Sequence, residues 1–153
     1  MHFSTSLLFL QEIAFMIQRK QTIWLLLVAI FAAVTFRLPF YTGERLVDNI
    51  AATVHLDATT NIWLSILTAL AGAIAFVTIF LFDNRNLQLK LCYLGIFITV
   101  ILLILYFLEL VHFTKGSVSL WCLFYVGILA FYILAARGIW RDEKLIKSMD
   151  RLR

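Results

Sequence analysis

Four stretches of this chain carry no Asp, Glu, Lys or Arg: Gln21 to Phe36, Ala58 to Phe82, Leu91 to Leu108 and Gly116 to Ala136, with 16, 25, 18 and 21 residues. A bilayer core about 30 Å thick is crossed by roughly 20 helical residues. The first stretch is short, but Lys20 and Arg37 on its flanks can extend their aliphatic stems and keep their charged heads in the interface. Composition agrees: 63% of the 153 residues are hydrophobic and 14% charged, more apolar surface than a soluble domain of this size can hide. The expectation is a chain that sits in a bilayer. Disordered, collagen-like and disulfide-rich secreted classes are excluded on the same composition.

Barrel strands alternate apolar and polar residues over about ten positions. Ile98-Thr99-Val100-Ile101-Leu102-Leu103-Ile104-Leu105 does not. In lipid a helix satisfies its own backbone hydrogen bonds, so β-branched runs of this kind stay helical. The predicted fold is therefore all-α: an integral membrane four-helix bundle with helices at about 18–38, 60–82, 87–111 and 118–140. Short connections make successive helices neighbours, in an up-down-up-down order. Ten basic residues (Arg19, Lys20, Arg85, Lys90, Arg137, Arg141, Lys144, Lys147, Arg151 and Arg153) fall on one side, against Arg37, Arg45 and Lys115 on the other. The bias of cations toward the cytoplasmic side then puts both termini and the 83–90 turn in the cytoplasm.

In the connections, Asp83-Asn84-Arg85-Asn86 reads as a tight hairpin with Asn86 capping the third helix. Thr59, Thr60 or Asn61 caps the second. The outer loop 39–61 holds Gly43, Glu44, Arg45, Asp48, His55 and Asp57 and fits either a short interfacial helix or a small hairpin. Residues 16–153 form one domain. Residues 1–15 are an N-terminal extension without the basic start and small-residue cleavage site of a signal peptide, and Met16 is the expected initiator. The tail 141–153 continues the fourth helix as a basic amphipathic segment, with Leu145, Met149 and Leu152 on one face and Glu143 paired to Lys147 one turn on. Such a tail either lies on anionic headgroups or docks onto a cytoplasmic partner.

Met16-Ile17-Gln18-Arg19 with Gln21-Thr22, Asn84-Arg85-Asn86-Leu87-Gln88 with Leu91-Cys92, and Arg141-Asp142-Glu143-Lys144-Leu145 ending in Asp150-Arg151-Leu152-Arg153 together resemble domain-of-unknown-function family 4293. The resemblance covers Met16 to Arg153. It implies a small four-helix integral membrane protein of the Bacteroidetes type, with an inner-membrane address and no assigned activity.

The residues offer little chemistry. Cys92 starts the third helix and Cys122 the fourth, at opposite faces of a layer some 30 Å deep, too far apart for the roughly 6 Å Cα separation of a disulfide. Glu109 is the one acid inside a span and lies at its outer end. Arg37 reaches a similar depth and His112 is one turn beyond Glu109, so Arg37, Glu109 and His112 form a candidate outer-rim polar cluster, facing either headgroups or a ligand. With His55 as a third donor no spacing enforces a metal site, and neither metal nor cofactor is expected. Ser65, Ala69 and Ala73, with Thr68 and Gly72, give the second helix a small-residue packing face, and Ala29 and Ala33 on the first helix are its natural opposites. Trp24, Trp63, Trp121 and Trp140 fall at span ends as interfacial anchors. Phosphate-cradling loops, nucleophile triads and paired catalytic carboxylates are absent from the sequence. The basic charge follows topology and does not suggest nucleic acid.

These features point to a non-enzymatic membrane protein acting by helix association, as a scaffold, assembly or regulatory subunit. Its partners are the lipid bilayer and a second membrane protein or another copy of itself. The alternative is a small transporter or channel component that uses the outer-rim cluster.

Overall fold

A computed structural model describes residues 20–47, 50–81 and 84–150. Four helices carry the fold: α1 (Lys20–Val34), α2 (Ile62–Phe80), α3 (Arg85–Glu109) and α4 (Cys122–Asp150). Around the bundle α1 packs on α2, α2 on α3, α3 on α4 and α4 back on α1, so α1 and α3 stand diagonally. Helices α2, α3 and α4 are long and apolar enough to cross a membrane; the apolar run Gln21–Val34 in α1 is shorter.

The all-α expectation needs correcting. Strands β1 (Tyr41–Val47), β2 (Ile50–Leu56) and β3 (Lys115–Val118) form an antiparallel sheet in the order β2-β1-β3. The loop 39–61 thus takes the hairpin form, with Tyr41 opposite Leu56 and Val47 opposite Ile50. A segment expected to be a plain turn supplies the third strand, with Tyr41 opposite Val118 and Glu44 opposite Lys115. Hairpin edges carry unpaired backbone groups, and β3 satisfies one of them.

The helix limits shift for local reasons. Helix α1 ends at Val34, not near residue 38. Turn bonds from Thr35 N to Phe31 O at 2.9 Å and from Leu38 N to Val34 O at 3.2 Å carry the chain to Pro39, which biases Leu38 away from helical backbone. Asn61 caps α2, its side-chain oxygen accepting from Trp63 N at 3.2 Å. The cap position of α3 is Asn84, without a side-chain cap bond, and Asn86 lies inside the helix. A 3₁₀ turn, Leu110–His112, follows α3. Helix α4 begins at Cys122 rather than near 118, because Lys115–Val118 is strand and Ser119 N bonds Phe40 O at 3.1 Å. It then runs unbroken to Asp150.

Two buried clusters hold the molecule together. One joins Leu25, Val28 and Ala32 of α1, Ala75 of α2, Cys92 of α3 and Ile128, Tyr132 and Ile139 of α4. The other joins the sheet to the bundle: Phe40 and Leu56 meet Leu64, Leu102, Tyr106 and Tyr125. Here the Phe40 ring lies 4.8 Å from Tyr106 and 5.2 Å from Tyr125, and those two rings are 4.8 Å apart. Such ring pairs contribute about 0.5–1.5 kcal/mol each beyond area burial.

Large apolar side chains cover the outside of the bundle, and a few polar ones are buried in its largely apolar core. Thr35, Thr68, Thr78, Gln88 and Thr99 are buried, while Phe97, Phe107 and Phe76 on the outside are 63%, 61% and 55% exposed. Thr78 and Thr99 hydroxyls donate to the carbonyls one turn back, Ile74 O at 2.6 Å and Gly95 O at 2.7 Å. Gln88 Nε2 on α3 donates to Thr78 O on α2 at 3.2 Å. Of the four tryptophans, Trp63, Trp121 and Trp140 are exposed. Trp24 instead stacks on Phe131 at 5.6 Å as a packing residue.

Candidate functional site

Where α2 starts and α3 ends, a pocket of about 110 Å³ is lined by Asn61, Trp63, Leu64, Leu105, Leu108, Glu109 and His112. Asn61 has two tasks there. Its oxygen caps α2 through Trp63 N, and its Nδ2 donates to Glu109 Oε1 at 3.0 Å. A half-buried carboxylate tied to an amide fixed by its own helix start is a positioned acceptor.

The structure brings Glu109 and His112 together around this pocket and leaves Arg37 out. The carboxylate's partner is Asn61, whereas Arg37 is exposed beyond the end of α1, which is the helix diagonal to α3. The sequence pointed to Asn61 only as a helix cap. The start of α2 and the end of α3 lie at comparable distances from the 83–84 connection, and that signal places Asn61 beside Glu109. His55, in the loop 39–61, has Nδ1 3.0 Å from Thr42 Oγ1 across the β1–β2 pair. Among the described residues no group of three metal-ligating side chains converges. Cys92 and Cys122 are both free thiols.

The small residues of α2 divide between interior and exterior. Ala71 and Ala75 are fully buried, and Gly72 faces Ala32 of α1 so closely that an added Cβ would sit 3.0 Å from the Ala32 methyl. Ala69 and Ala73 remain exposed. With Ala29, Ala33 and Phe36 of the first helical segment and Phe76 of α2 they wall an open groove of about 340 Å³. Thr68 borders the same groove but is itself fully buried within the bundle. Ser65 stands apart, half-buried, donating to Ala58 O at 2.7 Å.

The tail face expected at Leu145, Met149 and Leu152 lies outside the described side chains. The backbone at 145 and 149 belongs to α4, while their side chains and all of Leu152 lie outside the described residues, as does the segment 1–19.

No curated protein and no solved structure matches the chain. The model of the family described as Domain of unknown function (DUF4293) matches residues 17–152, and the chain belongs to that family.

Proposed function

We propose that this is a multi-pass protein of a bacterial inner membrane, with four spans in up-down-up-down order and both termini in the cytoplasm. It works without catalysis, as a scaffold, assembly or regulatory subunit that receives a partner's transmembrane helix along the α1–α2 groove. Exposed phenylalanines around a core that carries threonines and glutamines support the bilayer setting. The excess of cations on one side supports the orientation.

The α1–α2 groove carries the associative role. In lipid no hydrophobic effect drives helices together, and association relies on close backbone approach over small residues and on interhelical hydrogen bonds. Ala29, Ala33, Ala69 and Ala73 supply the first. Copurification from native membranes in mild detergent tests this. Ala73→Leu should remove the bound membrane protein while leaving the bundle folded, and retention of the same partner by the variant would refute the groove as the seam.

Transport through the outer-rim pocket has less in its favour. Arg37 stands apart from Glu109, and the layer beneath is filled by Leu102, Ile128 and Tyr132, all buried. Substrate-dependent flux in liposomes that is lost in Glu109→Gln would reverse this preference.

A further inference from the structure

A second cleft, of about 180 Å³, opens between α3 and α4 away from both the rim pocket and the α1–α2 groove. It is lined by Tyr93, Ile96, Ile133, Ala136, Arg137 and Trp140. Its two ends differ in chemistry. Ile96, Ile133 and Ala136 form an apolar wall, whereas Arg137, Tyr93 and Trp140 are exposed at the other end. Lys144 Nζ sits 5.6 Å from the centroid of the Trp140 ring, a cation–π placement that keeps its charge beside the cleft. Lys90 precedes Tyr93 by nearly one turn on α3, and Arg141 follows Arg137 by one turn on α4. Lys90, Arg137, Arg141 and Lys144 thus outnumber Asp142 and Glu143, the acids of the same stretch of α4.

We propose that this cleft binds the headgroup of one anionic phospholipid. The inference rests on the bilayer setting argued above and is independent of the α1–α2 groove. The Arg137 guanidinium has the planar fork that matches a phosphodiester. An acyl chain running down from that phosphate meets Ile96 and Ile133, and the Trp140 indole stands at headgroup depth. The local excess of positive charge selects against zwitterionic lipids, whose choline or ethanolamine would bring a further cation to Arg137.

Native mass spectrometry of the detergent-solubilised protein, with phosphatidylglycerol and phosphatidylcholine in equal amounts, tests the assignment. One phosphatidylglycerol should be retained with about fivefold preference, the difference that one basic residue near the surface supplies. Arg137→Gln should abolish the preference, and Lys115→Gln on the sheet should leave it intact. Equal retention of the two lipids, or an unchanged preference in Arg137→Gln, would overturn the proposal. Displacement of the lipid by excess inorganic phosphate would also overturn it, because the cleft would then be a free-phosphate site. A chain that stayed monodisperse without any amphiphile would be a different failure, that of the bilayer setting itself.

Discussion

The Tyr125 hydroxyl lies 2.7 Å from the Leu38 carbonyl oxygen and 3.0 Å from that of Thr35, so a side chain in the second turn of α4 holds the turn that ends α1. Its ring is fully packed against Phe40 and Tyr106. Tyr125→Phe keeps this ring packing and removes the one donor shared by two carbonyls. It should lower stability by about 1–3 kcal/mol, read as a reduced melting temperature in detergent. An unchanged transition would mean that the turn at Thr35–Leu38 is held by its own backbone bonds.

Gly95 of α3 faces Tyr132 of α4, whose hydroxyl donates to Ala71 O on α2. A Cβ at position 95 would run into the Tyr132 ring, and that ring is anchored at its far end. Gly95→Val should therefore destabilise the bundle by about 1–3 kcal/mol through overpacking. Combining it with Tyr132→Ala should give a loss smaller than the sum of the two single changes. Strict additivity in thermal unfolding would show that the two sites do not share one space.

Gly43 and Gly116 face each other across β1 and β3. A Cβ on Gly43 would lie 2.5 Å from Lys115 O, and one on Gly116 would lie 2.6 Å from Gly43 Cα. The Tyr41 ring is close to both glycines and packs edge-on against Phe113 at 5.1 Å. Gly116→Val should detach β3, raising protease cleavage near residues 114–119 without dissociating the helices. Wild-type resistance in this variant would count against the close backbone approach.

At the rim pocket, Glu109→Gln preserves an oxygen that can accept from Asn61, so the bundle should keep its stability. Asn61→Ala removes the cap on α2 along with the donor to Glu109. It should cost about 1 kcal/mol or somewhat more, measured as a lower melting temperature. Equal losses from the two variants would assign the rim pocket a role beyond helix capping.

The four helices were legible because charge-free length is a one-dimensional property: Asp57, Asp83 and Lys115 fence the spans wherever the chain goes in space. The sheet was not. Its hairpin was one of two open options for the outer loop, and β3 was invisible because Lys115–Val118 becomes a strand only beside β1, some seventy positions earlier in the chain. Arg37 and Glu109 read as reaching a similar depth, but depth does not say which helices are neighbours, and α1 and α3 stand on the diagonal. The alanine face was readable from spacing, yet which of its members turn inward depends on α1, where Ala32 takes the place opposite Gly72. The Asn61 to Glu109 bond needed the ends of two helices to be set level.

Strand β1 has a consequence for how the chain matures. It takes β2 on one side from the same connection and β3 on the other from the connection that follows α3. During synthesis from the amino end, the early hairpin keeps a bare edge until residues 115–118 arrive, and bare edges recruit whatever strand comes near. Pairing of that edge requires everything from α2 through α3 to have been made already, so the small sheet acts as a mark of completion: β1 is flanked on both sides only once the segment that follows α3 has come back to it.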